Sequence, residues 1–271
     1  EKIAREAYDL TAEDIRKRER FDRVIGEMGR HDWAEREWQY VVDELPVLQS
    51  ADARRWLASL LLHYRGENKR AAKLLVELCE VIEANGRLKS QVLRNGALRL
   101  FFSQRDFFEA CHARDEGDYQ RQRELLDSAY RYENLDADVM IAMYRSPEAD
   151  EQYRKKTLGR IERAAEELEG YLKERPDDAQ SYNHWAWLIS NTEGDYEKAV
   201  RYSQRSLELS PDSPSYLDTL GRCYYAAGEL EKAVEVQRRA VDMHPYLQVM
   251  QTQLEMFEAA LAKQQASRGE D

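Results

Sequence analysis

The stretch PSYLDTLGRCYYAAGELEKAVEVQRRAVDMHP, Pro214 to Pro245, reads as two helices joined by a turn. Leu217, Leu220, Gly221 and Tyr224 recur at the three- and four-residue spacing that puts them on one face of a helix. Gly228 interrupts the pattern, Ala233 and Ala240 resume it on a second helix, and Pro245 ends that helix. About 34 residues upstream the same pattern runs from Ala179 to Pro211. There Tyr182, Trp185, Ala186 and Ile189 fall on the first helix, Gly194 on the turn, and Ala199 and Ser206 on the second helix. The turns Gly194-Asp195-Tyr196-Glu197-Lys198-Ala199 and Gly228-Glu229-Leu230-Glu231-Lys232-Ala233 match closely, and the earlier copy has one extra residue in Ser190-Asn191-Thr192-Glu193.

These residue types suit two helices in close approach. Ala186 or Gly221 on one helix faces Ala199 or Ala233 on the next, because only small side chains let the axes come within about 8–10 Å. The L-x2-L-G-x2-Y…A…P pattern of 214–245 resembles the tetratricopeptide repeat (TPR), with Leu217 in place of the family's large aromatic residue. The resemblance implies an all-α protein, a right-handed superhelix (α-solenoid) of TPR-like helix-turn-helix hairpins with a C-terminal capping helix.

Composition agrees with that class. Of 271 residues, 42% are hydrophobic and 34% charged, while 12 Gly and 6 Pro leave little room for flexible linkers. We therefore expect one solenoid over 1–271, with an N-terminal helical segment at 1–20, degenerate TPR-like hairpins over 21–176, repeats at 179–211 and 214–245, and a capping helix at 246–263. In the degenerate region Ala58, Leu62, Ala71, Leu75 and Leu78 flank Gly66, with Ser59 where Gly or Ala is usual, and Ala110, Ala113, Leu126 and Ala129 flank Gly117. Ile141 and Ala142 mark a further first helix, followed by a long second helix from about Glu148 to Glu174 with Ala164, Leu168 and Tyr171 at the family's spacing from Pro176. A first hairpin is built from Phe21, Val24, Ile25 and Met28, a turn at Gly29, and Trp33 through Leu45. Ile3, Ala7, Leu10 and Ile15 suggest a helix at the N-terminal end, and Leu247, Met250, Leu254, Phe257 and Leu261 describe the capping helix.

Charge and chemistry narrow the function. A formal net charge of −11 disfavours nucleic acid as a partner, the run Arg16-Lys17-Arg18-Glu19-Arg20 reading as a solvated helix face. No stretch approaches the roughly 20 apolar residues of a membrane helix, so membrane insertion is not expected. Cys79, Cys111 and Cys223 are far apart and read as buried small hydrophobes. His31, His63, His112, His184 and His244 fall in different hairpins without ligand spacing, and neither a nucleotide-binding nor a nucleophile motif occurs. No catalytic residues, metal or cofactors are expected. The chain starts at Glu1 rather than methionine, which reads as a trimmed or processed product; the balance favours the cytoplasm slightly over an exported or periplasmic location.

In the TPR family the first helices line a groove for a peptide or protein partner. Carried over by spacing, that resemblance puts Asn183, Trp187, Asn191, Asp218, Arg222 and Tyr225 in the groove, with Phe107, Cys111 and Arg114 upstream. Asn183 could read a peptide backbone, Arg222 a carboxylate, and Trp187 and Tyr225 apolar side chains. Plainer roles are a core position for Trp187 and an i,i+4 pair between Asp218 and Arg222. Asp218 and Trp187 stand where chaperone-tail clamps place neutral or basic contacts, so that role is disfavoured. The expectation is a non-catalytic interaction scaffold of bacterial type. The alternatives are a helical arm of a larger enzyme or sensor, and a homo-oligomer formed through terminal helices that expose Met256 and Phe257.

Overall fold

The computed structural model describes residues 30–268. The segment 1–20 with its basic run, and Phe21 through Gly29 of the first expected hairpin, lie outside the described residues. All regular structure among the described residues is helical, in thirteen α-helices and one short π-helical stretch. They group into two compact units, one through Glu133 and one from Asn134.

The first unit contains α1 (His31–Glu44), α2 (Ala51–Leu60), α3 (Asn68–Ala84), α4 (Gly86–Arg94), α5 (Gly96–Asp115) and α6 (Tyr119–Tyr132). Gly66 and Gly117 sit at the α2–α3 and α5–α6 turns with φ of 65° and 76°, a left-handed conformation that a side chain would strain. The small residue that allows close packing stands seven places before the turn glycine at Ala110, and the same count from Gly66 reaches Ser59. The structure departs from that count. Beyond α2 the chain widens into a π-helical stretch, Leu61–Arg65, whose extra residue moves the small position one place earlier. Ala58 is accordingly fully buried, in one core with Ala71 and Leu75, and Ser59 is only partly covered.

Helix α4 has no counterpart in the two-helix pattern. Asn85 caps it, its side chain accepting a hydrogen bond from the Leu88 N–H at 3.1 Å. Only Val92 of this helix is buried, joining Leu78, Cys79, Ile82, Phe101 and Phe102 in a second core. Leu88, four residues before Val92, packs on the same core, so the helix carries a short apolar stripe.

The second unit contains α7 (Ala137–Tyr144), α8 (Glu151–Glu174), α9 (Ala179–Ser190), α10 (Tyr196–Leu209), α11 (Pro214–Ala226), α12 (Leu230–Met243) and α13 (Gln248–Arg268). Each helix packs on its successor, and α7, α9 and α11 also pack side by side, the arrangement of a stacked-hairpin solenoid. Five consecutive helices, α6 to α10, begin on an aspartate, Asp118, Asp136, Asp150, Asp178 and Asp195, whose carboxylate accepts from a backbone N–H of the first turn. Such caps are worth about 1 kcal/mol each. On α8 the buried stripe is Ile161, Ala164, Ala165, Leu168 and Leu172. Tyr171 is 44% exposed and donates its hydroxyl to Glu167, so Leu172, about 100° round the helix, takes the core position the spacing assigned to Tyr171.

In the last hairpin Gly221 leaves room for the Gln237 side chain and the Phe257 ring. A Cβ on Gly221 would stand 2.6 Å from Gln237 Oε1, 3.4 Å from the Phe257 ring and 3.5 Å from the Ala233 carbonyl. Phe257 is therefore not the exposed residue expected for an oligomer contact: it is fully buried against Gly221 and stacked on Tyr225, with ring centroids 4.7 Å apart. Met256, its neighbour, is exposed.

Because Ala233 is fully buried against the Gly221 helix, Ala233→Leu should overpack the hairpin and lower stability by about 1–3 kcal/mol. Denaturant unfolding of the variant beside the parent protein tests this, and an unchanged midpoint would show that the small side chain is not required.

Candidate functional site

The first-helix face of the second unit carries a cavity of about 310 Å³ lined by Asp136, Ala137 and Asp138 from α7 and its cap, Gln180, Asn183, His184 and Trp187 from α9, and Tyr216 from α11. Its construction follows from the sequence of α9. Trp185, Ala186 and Ile189 turn into the core, and the positions between them, Gln180, Asn183, His184 and Trp187, form a second stripe at i, i+3, i+4 and i+7 that faces the cavity. Trp187 is partly buried and donates its indole N–H to Asp138 Oδ1 at 3.0 Å, which fixes the ring across the cavity wall. Asn183 Oδ1 is buried and accepts no hydrogen bond. A buried amide oxygen without a donor costs roughly 1–3 kcal/mol, which a ligand N–H would relieve.

The other groove candidates are committed to packing. Asn191 is buried at the end of α9, donating to the Trp187 carbonyl at 2.9 Å and accepting from Arg145 at 2.6 Å. Arg222 donates Nε–H to the Ser190 carbonyl at 3.1 Å and lies over the Tyr225 ring. Arg145, which follows α7, and Arg222 of α11 thus both meet the C-terminal end of α9, where the helix dipole is negative. Burial lowers the pKa of each, and in Arg222 the charge of Arg145 lowers it further. Tyr225 is covered by Phe257.

Asp218 is buried and turned away from the cavity. Its Oδ1 accepts from Gln237 Nε2 of α12 at 2.6 Å and Gln253 Nε2 of α13 at 3.0 Å. Gln237 also donates to the Met250 carbonyl, and Gln253 to the Asp218 carbonyl and to Gln237 Oε1. The i,i+4 pairing of Asp218 with Arg222 gives way to this network because burial leaves the carboxylate facing the capping helix.

Phe107, Cys111 and Arg114 lie on α5 of the first unit. Phe107 is partly buried and packs against the α1–α3 core, Cys111 is partly buried, and Arg114 is exposed beside Asp115. Repeat spacing does not single out Asp136, Asp138, Gln180, His184 or Tyr216 as groove residues. The polar stripe on α9 carried a usable signal for Gln180 and His184, whereas the α7 aspartates depend on helix packing. Burial raises the thiol pKa of Cys79 and Cys223 to about 12, so neither is a nucleophile at neutral pH. Among the described residues no helix is long and apolar enough to cross a membrane.

Comparison with known proteins agrees with this architecture. Residues 177–245 match the tetratricopeptide repeat family. The probable biofilm formation methyltransferase WspC of Pseudomonas putida is 38% identical over 82 residues, 30% of this chain and 19% of that protein. The photosystem I assembly protein Ycf3 of Cyanophora paradoxa is 30% identical over 117 residues, 41% of this chain and 68% of that protein. The chain therefore spans about a fifth of the first relative's length and about two thirds of the second's. Among solved structures, a thermophilic TPR protein of Thermus thermophilus is similar at 16% identity and a TM-score of 0.40, covering 90% of this chain and 98% of that one.

Burial raises Asp218 to about 6, above its ordinary 3.8, and outweighs the hydrogen bond from Gln237. The folded protein thus holds this proton more tightly than the unfolded chain does. The stabilisation is complete below about pH 4 and is lost as pH rises through about 6. Asp218→Asn should remove this dependence. Unfolding free energies of parent and variant should diverge in the variant's favour by about 2–3 kcal/mol between pH 4 and 7, and parallel profiles would reject the assignment.

Proposed function

The chain belongs to the tetratricopeptide repeat family, whose fold generally serves as a protein–protein interaction scaffold, and we propose that this member binds an extended peptide segment or protein face on the α7–α9–α11 surface of its second unit. The observation that carries this reading is the buried, unpaired Oδ1 of Asn183 beside the Trp187 ring in a cavity of about 310 Å³. A peptide N–H satisfies that oxygen. An apolar partner side chain lies against the indole, which its bond to Asp138 holds in place and thereby spares much of the ordering cost of binding. The charged groups at the cavity are the carboxylates of Asp136 and Asp138, so a neutral or basic segment fits better than a terminal carboxylate. Arg222, the expected carboxylate reader, already donates to Ser190.

A second reading draws on the match to a methyltransferase of which the chain covers only 19%. Hairpins of this kind can form the interaction arm of a larger enzyme or sensor, and the complete reading frame would separate that from a stand-alone scaffold. Both readings use the same surface for the partner.

Peptides selected from a random display library against the whole chain, then titrated by fluorescence polarisation, test the surface. Asn183→Ala and Trp187→Ala should each weaken binding about tenfold or more, equivalent to about 1.4 kcal/mol, while Tyr171→Ala, on an exposed side of α8, should leave it unchanged. Selected peptides that bind all three variants equally would remove the α7–α9–α11 surface from consideration.

A further inference from the structure

A second polar cavity lies within the first unit, about 460 Å³ in volume, between α3, α5 and α6. Five carboxylates and three guanidinium groups line it, leaving an excess of negative charge. At its wall Asp106 is 2% exposed. Asp106 Oδ1 accepts from Arg105 Nε at 2.8 Å, but Oδ2 is buried and accepts nothing. Arg105 cannot readily serve both oxygens, because it also reaches Glu83 at 3.4 Å and lies over the Phe102 ring. Arg121 stands 3.7 Å from Glu124. Glu109 faces the same space, and burial, together with the charge of Asp106, raises its pKa despite Arg105 and Arg121.

A buried carboxylate oxygen without a donor is a costly arrangement, and one a cation would relieve. The shape of the site selects among cations. Among the described residues no group of three or more His, Cys, Asp or Glu is placed to hold a metal ion, so the negative charge is spread rather than focused. Spread carboxylates suit an extended donor, and a guanidinium offers five N–H groups in a planar fork. Val76 and Leu125 supply apolar wall against which the methylene stem of such a side chain can lie.

We infer that the α3–α5–α6 cavity is a recognition pocket for an arginine side chain of a partner polypeptide, with Asp106 Oδ2 accepting from the guanidinium and Glu109 and Glu80 completing the negative surround. This pocket stands apart from the Asn183 surface, and its test does not depend on that reading.

The probe is N-acetyl-arginine methylamide, titrated into the isotopically labelled full chain and followed by amide chemical shifts, with N-acetyl-citrulline methylamide as an uncharged control of the same shape. The expected result is a saturable set of shifts confined to α3, α5 and α6 with the arginine compound, absent with citrulline. Asp106→Asn keeps an oxygen for Arg105 and should weaken the arginine compound at least tenfold. Glu109→Gln, on a partly exposed residue, should weaken it several-fold with the remaining spectrum unchanged. Equal shifts from the citrulline compound, or unaltered affinity in both variants, would overturn the pocket. N-butylguanidine, a single cation like the arginine compound but without a peptide backbone, tests the source: tighter binding of it than of the arginine compound would mean a free small cation and reject a polypeptide partner.

Discussion

The contact on which the second unit depends is the approach of one helix backbone to another at a residue with almost no side chain. At Gly221 the neighbouring backbone comes within van der Waals reach of a Cβ, 3.5 Å at the Ala233 carbonyl, and the Gln237 amide fills the space a methyl group would take. At Ala186 the backbone carbonyl accepts the thiol of Cys223 from the adjacent first helix at 3.7 Å. These contacts let α9, α10, α11 and α12 share buried surface with more than one neighbour. They also explain why polar residues can be spared for the outer stripe of α9. Ala186, Ala199 and Ala233 meet the packing requirement, and the rest of each helix is free to carry other chemistry.

The two C-terminal hairpins were legible because their turns are alike and their small residues stand at regular distances from those turns. The first unit was harder to read for two physical reasons. The π-helical turn at Leu61–Arg65 shifts the small position from Ser59 to Ala58, and such a widening leaves no mark on the spacing of apolar residues. Helix α4 presents only Leu88 and Val92 to the core and starts at an Asn85 cap, an extra helix that the two-helix repeat template has no place for. Tyr171 shows a related limit, since an amphipathic stripe admits either of two adjacent residues at its edge and packing selects one.

At the candidate site, spacing identified positions but not what they face. Asn183 and Trp187 line the cavity, and Asn191 and Arg222 are drawn inward by the C-terminal carbonyls and side chains of α9. That outcome depends on Arg145, the residue that ends a helix whose small size and apolar sequence gave no hint of a role. Asp218 could be assigned only once α13 was in place, because two of its three neighbours in the buried network, Gln253 and the Met250 carbonyl bonded through Gln237, belong to that helix.

The Gly221 contact has a consequence for modular change. In many stacked arrays a hairpin can be duplicated or removed because each presents the next with an equivalent surface. Here α11 and α12 present a glycine floor, a buried carboxylate and a glutamine amide that fit one particular phenylalanine and one particular glutamine of α13. A further hairpin grafted in front of α13 would have to supply both side chains in the same register. Insertion of a hairpin between α12 and α13 is therefore disfavoured, because the two are joined by a specific set of side chains rather than by an interchangeable surface.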